Sequence, residues 1–172
     1  MNDVLYYGEK VGWPKFSLIP DAVFPAAFAE KGICAGYLTS GPVAREIRSL
    51  RAGTVTNAVA GDCVLTLAPE RFAAVHACRT ERVRVTFENK ETVVRASGLA
   101  AHASRPQQSV NAIALAFDVL LAAGILRGEE RGLISFWAKC LHDFYGGELG
   151  IALDRGEYGE LTIIGGTAAL ED

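Results

Sequence analysis

The sequence lacks most of the short motifs that identify an enzyme directly. It contains no G-x-S-x-G nucleophile elbow, no H-E-x-x-H zinc motif, no P-loop and no dinucleotide-binding glycine fingerprint. The cysteines form no C-x-x-C pair, which excludes a zinc knuckle and a thioredoxin-type redox pair. The three histidines, His76, His102 and His142, have no acidic or cysteine partner at a metal-ligand spacing. Motifs alone therefore define a globular domain without an assigned chemistry.

The sequence also lacks the charge pattern of a protein that binds nucleic acid or a membrane surface. The net charge is -3 and no run of Lys and Arg occurs, so we expect neither nucleic acid nor membrane as a partner. Arg45, Arg48 and Arg51 lie close together, but three spaced arginines are typical of a solvated edge. The most apolar stretch, 112–126, is shorter than the ~20 residues of a membrane span and predicts a buried helix.

Features of secreted proteins are missing as well. The first ten residues have neither the basic nor the apolar region of a secretory signal, which predicts a cytoplasmic protein. Cys34, Cys63, Cys78 and Cys140 lie in apolar surroundings, so we expect small buried hydrophobic residues rather than disulfides.

The hydrophobic pattern predicts an α+β fold. Three prolines indicate an irregular segment at 1–25, and β-favouring stretches at 26–40 and 43–50 predict an antiparallel pair. A hairpin is predicted from alternation at 83–88, the turn Asn89-Lys90 and a returning strand at 92–97. Helical spacing follows at 110–121, before Gly124, and at 133–144, and strand-like stretches end the chain at 159–164 and 167–170. These elements predict one antiparallel sheet with helices on one face.

Four segments, in this order and spacing, resemble the di-zinc dipeptidases of the PepV, Sapep and carnosinase type over essentially the whole chain. They are IPDAVFP at 19–25, AEKGI at 29–33, GLAAHASRP at 98–106 followed by VNAI at 110–113, and GELT at 159–162. The resemblance implies a remnant of the catalytic domain at 1–28 and a ferredoxin-like lid (dimerisation-type) domain at 29–172, incomplete at its C-terminal end.

The resemblance also implies a role for three residues. Asp21, between Pro20 and Ala22, falls on a zinc ligand of the family, and its stiff proline-flanked loop suits a ligand carboxylate. His102 falls on the lid histidine, which donates to the oxygen of the scissile carbonyl and stabilises the charge that develops there. Asn57 matches a lid asparagine that helps to hold the substrate.

Most of the family's zinc site has no counterpart in the sequence. The resemblance puts the first histidine, the bridging aspartate and the Glu-Glu pair upstream, and the last histidine and the lid arginine downstream. For the parent enzyme, the resemblance implies two bound zinc ions and the hydrolysis of small peptides by a metal-activated water. The chain itself is expected to be a catalytically silent internal fragment that holds zinc weakly at most.

Two alternatives remain open at this point. The chain could be a free-standing binding or assembly domain that uses a lid-like fold without chemistry, and a self-complementary apolar sheet edge would favour that hypothesis. It could also belong to an amidohydrolase that acts on N-acyl amino acids.

Overall fold

The computed structural model describes residues 3–16, 31–41, 46–154 and 156–170. The chain divides into two compact units, Met1–Cys34 and Ala35–Asp172, and the larger unit contains the sheet. The helices and strands are α1 Asp3–Val11, β1 Ile47–Ala52, β2 Asp62–Leu67, α2 Phe72–Ala77, β3 Val83–Glu88, β4 Glu91–Ser97, α3 Ala112–Ala122, α4 Gly128–His142 and β5 Ala168–Ala169.

The strands form one five-stranded antiparallel sheet in the order β3-β4-β2-β1-β5. This sheet, with its helices, confirms the predicted α+β class. The stretch from β2 to α3 has a βαββα outline, but the edge beside β2 is occupied by β1, which precedes it in the chain. The ferredoxin-like arrangement is therefore not confirmed.

One face of the sheet and one side of α3 form the core. In β2, Cys63, Leu65 and Leu67 are fully buried and alternate with more exposed residues, as expected of a strand with one apolar face. Helix α3 contacts β2, β3 and β4, and α4 packs on α3. Ile113 and Leu120 of α3 belong to the same buried cluster. The sheet thus has a covered face and an outer face.

Local signals were reliable between residues 83 and 124. Asn89 and Lys90 have φ values of 49° and 64°, the left-handed conformation of a two-residue hairpin turn, which confirms the predicted hairpin. Gly124 follows α3 with φ 65°, as expected of a glycine that ends a helix. The helix begins at Asn111, whose side chain accepts a hydrogen bond of 2.9 Å from the amide of Ile113.

Four expectations about secondary structure were wrong. Helix α1 lies in the segment predicted to be irregular, because the nine residues Asp3–Val11 precede the first proline. Residues 31–41 contain no regular structure, where a strand was expected, and 26–30 lie outside the described residues. Strand β1 pairs with β2 and β5 instead of with that stretch. Residues 159–164 form no strand, and the final strand has only two residues.

One side-chain prediction also needs correction. Cys63 is buried and Cys78 and Cys140 are half-buried, but Cys34 is exposed because the segment around it forms no packed strand. Among the histidines, His142 pairs with Asp118, at 2.7 Å between Nε2 and Oδ2. The hydrogen bond joins α3 and α4, whose packing brings the two residues together.

Asp143 accepts hydrogen bonds from the loop that follows α4. The backbone amides of Glu148 and Tyr145 donate to its carboxylate at 2.8 and 2.9 Å. These amides, with smaller contributions from Gly147 and Gly146, hold the pKa of Asp143 below its usual range. A carboxylate thus organises the start of the loop.

Within the ranges given above, no helix combines the length and the apolar composition that a bilayer span requires.

Candidate functional site

Two loops of the larger unit, 53–61 and 98–110, pair beside the sheet, and we call this pair of loops the ribbon. The ribbon carries Asn57 on its first loop and His102 on its second. The amide of Val59 donates to the carbonyl of Ala101, and the amide of Ala103 donates to the carbonyl of Asn57, both at 2.9 Å. These bonds enclose a bridge between Ala58 and His102. The fold therefore brings together the two residues that the resemblance assigns to substrate, although they are distant in sequence.

The loop that carries His102 is closed at its base. Leu99 and Val110 exchange backbone hydrogen bonds of 2.8 and 3.0 Å, and the amide of Gly98 donates to the carbonyl of Gly61 at 2.8 Å. A Cβ on Gly98 would overlap the carbonyl oxygen of Val110 and would lie 2.9 Å from the amide nitrogen of Ala112. Only glycine permits this close approach of backbones. The loop is thus fixed by main-chain contacts and leaves the side chain of His102 exposed.

The hydrogen bonds of His102 define which ring nitrogen carries the proton. Its Nδ1 lies 2.9 Å from Oγ of Ser104 and 3.2 Å from the backbone nitrogen of Ser104. An amide can only donate, so Nδ1 acts as the acceptor and the ring hydrogen belongs on Nε2. Nε2 has no hydrogen-bond partner among the residues that the structure describes. His102 therefore presents a donor to the outside of the loop.

Asn57 adds a second exposed polar group to the same ribbon. Its carbonyl is used by Ala103, and its side chain is exposed. A carboxamide offers one acceptor and two donor hydrogens, which suits the polar groups of a peptide. The two exposed side chains stand on backbone that is already hydrogen-bonded, so placing them costs no further ordering of the main chain.

A cleft of about 120 Å³ opens next to this ribbon. Glycines and alanines supply most of the wall, and Asp62 and Thr54 supply its polar side chains. The residues that line it are Gly53, Thr54, Val55, Ala58, Val59, Ala60, Gly61, Asp62, Ala100 and Gly166.

The wall of the cleft is held by a buried asparagine. Asn111 begins α3, and its side-chain amide donates to the carbonyl of Gly165 at 2.9 Å. Because the same side chain caps the helix, it ties α3 to the segment that carries Gly166. Gly53 is equally constrained, since a Cβ there would overlap the carbonyl oxygen of Gly166. The sequence motifs assign no role to Asn111 or Gly53. An asparagine before an apolar helical run is nevertheless a recognised sign of a helix start.

The nearest cysteine is not suited to nucleophilic chemistry. Cys63 follows Asp62 in β2 and is fully buried. Burial raises the pKa of its thiol to about 12, and the charge of Asp62 adds to the increase. A thiol in this state stays protonated at neutral pH and packs as a small apolar side chain.

The third predicted site residue, Asp21, lies outside the described residues. Among 3–16, 31–41, 46–154 and 156–170, no three His, Cys, Asp or Glu side chains lie close enough together to hold a metal ion. The described part of the site thus contains a hydrogen-bond donor, a carboxamide and a small cleft.

Comparison with known proteins identifies no family. A scan against protein-family models gives no match, and a search of curated proteins finds none that matches significantly. The resemblance to the di-zinc dipeptidases therefore rests on the motifs themselves.

Proposed function

We propose that the chain supplies the lid domain, 29–172, of a cytoplasmic zinc-dependent dipeptidase, with 1–28 as a remnant of its catalytic domain. The single observation that carries the proposal is the geometry of His102. Its Nδ1 accepts from the Ser104 amide, which leaves the ring hydrogen on Nε2, and the side chain is exposed on a loop fixed by backbone hydrogen bonds. A donor held in this way suits the charge that develops on a carbonyl oxygen during peptide hydrolysis.

The neighbourhood of His102 supports a substrate role rather than a purely structural one. Asn57 is exposed on the loop paired with that of His102, and the cleft at Ala58 and Ala100 adjoins the same ribbon. A concavity beside two exposed polar groups is the arrangement expected of half a binding site. The substrate class that it fits is a dipeptide or a similarly small peptide.

Asp21 is the one residue of this chain that we propose as a zinc ligand. The chemistry that zinc supplies in such sites is a lowered pKa of bound water, which makes the water nucleophilic at neutral pH. A single carboxylate cannot hold an ion that needs several converging ligands. We therefore propose that the chain by itself has no dipeptidase activity and binds zinc weakly.

Two measurements test the proposal. In titration calorimetry, the chain by itself should show no stoichiometric zinc binding of submicromolar affinity, and a tight site would contradict the proposal. In the full reading frame that contains this segment, Asp21→Ala should lower the zinc content and abolish most turnover.

His102→Ala in the same full-length protein should lower kcat by roughly 10²–10³, the usual effect of losing one oxyanion donor. Zinc content should stay intact, and KM should change less than kcat, because the hydrogen bond strengthens in the transition state. His76→Ala is the matched control, since His76 stacks on Phe72 at 5.0 Å between ring centroids and has no assigned role.

The outcomes separate the proposal from the two other functions. Near-normal kcat in His102→Ala would mean that His102 is an ordinary loop histidine without a role in catalysis. Loss of zinc in this variant would mean that His102 binds the metal. A full-length protein that cleaves N-acyl amino acids but not dipeptides would be an amidohydrolase. A protein without hydrolase activity that self-associates through its sheet edge would be an assembly domain.

A further inference from the structure

The outer face of the sheet carries a row of arginines that the sequence does not show. Strand register aligns Arg51 with Val64, Val64 with Arg95, and Arg95 with Arg84, across β1, β2, β4 and β3. Residues in register on neighbouring strands point to the same face, so these four side chains form one line. We call this line the arginine row. It faces away from α3, because the opposite face holds the buried core residues of the same strands.

The charges along the row are only partly neutralised. Arg95 makes two hydrogen bonds of 2.9 Å with the carboxylate of Glu88, which also lowers the pKa of Glu88. Arg51 and Arg84 are exposed and have no acidic partner in the described part of the chain. Within the described residues, the two ends of the row are therefore cations without an acidic partner, on a chain whose net charge is -3.

Guanidinium and hydroxyl groups supply most of the polar chemistry of this face. The next line of residues across the sheet runs Ser49, Thr66, Val93 and Thr86, and Ser49 and Thr66 share a hydrogen bond of 2.8 Å. Val64, at 37% exposure, is the apolar member of the arginine row. The row has no aromatic side chain, which single-stranded nucleic acid uses for base stacking. Carboxylates that flank an apolar group are the better match.

The distance between Arg51 and Arg84 sets the form of the ligand. Arg51 and Arg84 are three strand intervals apart, which is about 14 Å. In an extended peptide, residues i and i+4 are also about 14 Å apart and project to the same side. The residue between them, i+2, would lie above Val64 and Arg95. An acidic residue at each end and an apolar residue in the middle thus complement the row.

We propose that the arginine row binds an extended segment of a partner protein with the pattern acidic-x-apolar-x-acidic. The segment crosses the strands, its two carboxylates contact Arg51 and Arg84, and its apolar residue contacts Val64. This interaction is separate from the site at His102 and does not depend on dipeptidase activity.

The proposal is tested by NMR titration of the ¹⁵N-labelled chain with the capped peptide SETVTES. Saturable shifts should appear at the amides of Val64 and Arg95. The peptide SQTVTQS, which lacks the charges, and SETVETS, which puts its two glutamates on opposite sides of an extended chain, should bind more weakly. Raising the salt from about 0.05 to about 0.5 M should weaken binding, because exposed ion pairs are screened.

Substitutions on the chain complete the test. Arg51→Gln and Arg84→Gln should each weaken binding by about threefold, and the double variant by about tenfold, as expected of exposed ion pairs. Arg131→Gln, an exposed arginine of α4, is the matched control and should leave affinity unchanged. The charge-reversed chain Arg51→Glu/Arg84→Glu should instead bind SKTVTKS.

Four results would overturn the proposal. The first is a titration without saturable shifts on β2 and β4. The second is equal binding of SETVTES and SQTVTQS, and the third is unchanged affinity in Arg84→Gln. The fourth is a thymidine dodecamer that binds this face more tightly than the peptide, which would assign the row to nucleic acid.

Discussion

The sheet core and the paired loops of the larger unit are stabilised in different ways. In the core, fully buried apolar side chains such as Leu65 and Leu120 provide the contacts. In the loops at 53–61 and 98–110, backbone hydrogen bonds and glycine close approaches provide them, and His102 and Asn57 stay exposed. The core therefore depends on side-chain volume, whereas the loops depend on the absence of side chains at a few glycines.

This difference separates stability from function. Exposed side chains on a fixed backbone can change without disturbing the fold, so they can serve recognition and chemistry. Buried side chains in the sheet cannot change in the same way, because a cavity or an overlap has an energetic cost. Substitutions in the two regions should therefore give distinct patterns of stability and structure.

The largest effect is expected from Leu65→Ala in the central strand β2. The side chain of Leu65 is fully buried on the core face of the sheet, so the substitution leaves a cavity and should lower the free energy of unfolding by roughly 2–5 kcal/mol. Val64→Ala, on the opposite face of the same strand, should change it by less than about 1 kcal/mol. Urea denaturation measures both. Similar losses for the two variants would mean that the outer face is also packed.

Gly98→Ala should have the next largest effect and should act through the backbone. The added methyl group would overlap the carbonyl of Val110, so the loop must shift, with a loss of roughly 1–3 kcal/mol. Gly132→Ala is the control, because a Cβ there meets nothing within 4 Å and α4 should gain about 0.5–1 kcal/mol. Faster amide exchange at Val59 and Ala103 should accompany the loss in Gly98→Ala. Unchanged exchange would show that the loops do not rely on this close approach.

Asp143→Asn should give a smaller effect that depends on pH. The folded pKa of Asp143 is lowered by the amides of Glu148 and Tyr145, so its contribution is fully present above its ordinary pKa of about 3.9. The contribution is lost as pH falls through the lower, folded pKa. The Tm difference between the natural chain and Asp143→Asn should therefore be largest near neutral pH and shrink below about pH 4. A difference that stays constant down to acid pH would contradict this.

The smallest effect on stability is expected from His102→Ala. The substitution removes the contacts with Ser104, but the backbone bonds of Ala101 and Ala103 remain. The free energy of unfolding should change by less than about 0.5 kcal/mol in calorimetry. A loss comparable to that of Gly98→Ala would mean that the imidazole supports the loop rather than a ligand.

The sequence determined the elements whose contacts are local. Alternation at Val83, Val85 and Phe87, with Asn89-Lys90 between the strands, specified the β3–β4 hairpin. Helical spacing specified α3 and α4 to within a few residues at most ends. These signals are reliable because the partners of each residue lie a few positions away, where turn geometry and periodicity decide the pairing.

The site was only partly accessible from sequence. His102 and Asn57 came from the resemblance to a family, since neither residue has a distinctive composition around it. Asn111 and Gly98, which hold the loops, have roles that appear only when α3 and the segment at Gly165 meet. Their partners are far away along the chain, and no periodicity encodes them.

The sequence by itself determined the class of fold, the hairpin and the two long helices of this protein. Only the tertiary structure decided that β1 pairs with β2 and β5, that His102 lies opposite Ala58, and that Arg51, Arg95 and Arg84 form a row. The physical reason is that strand edges offer the same amide and carbonyl groups to any partner. Which edges meet is decided by how all apolar faces are buried at once, and that is a property of the whole chain.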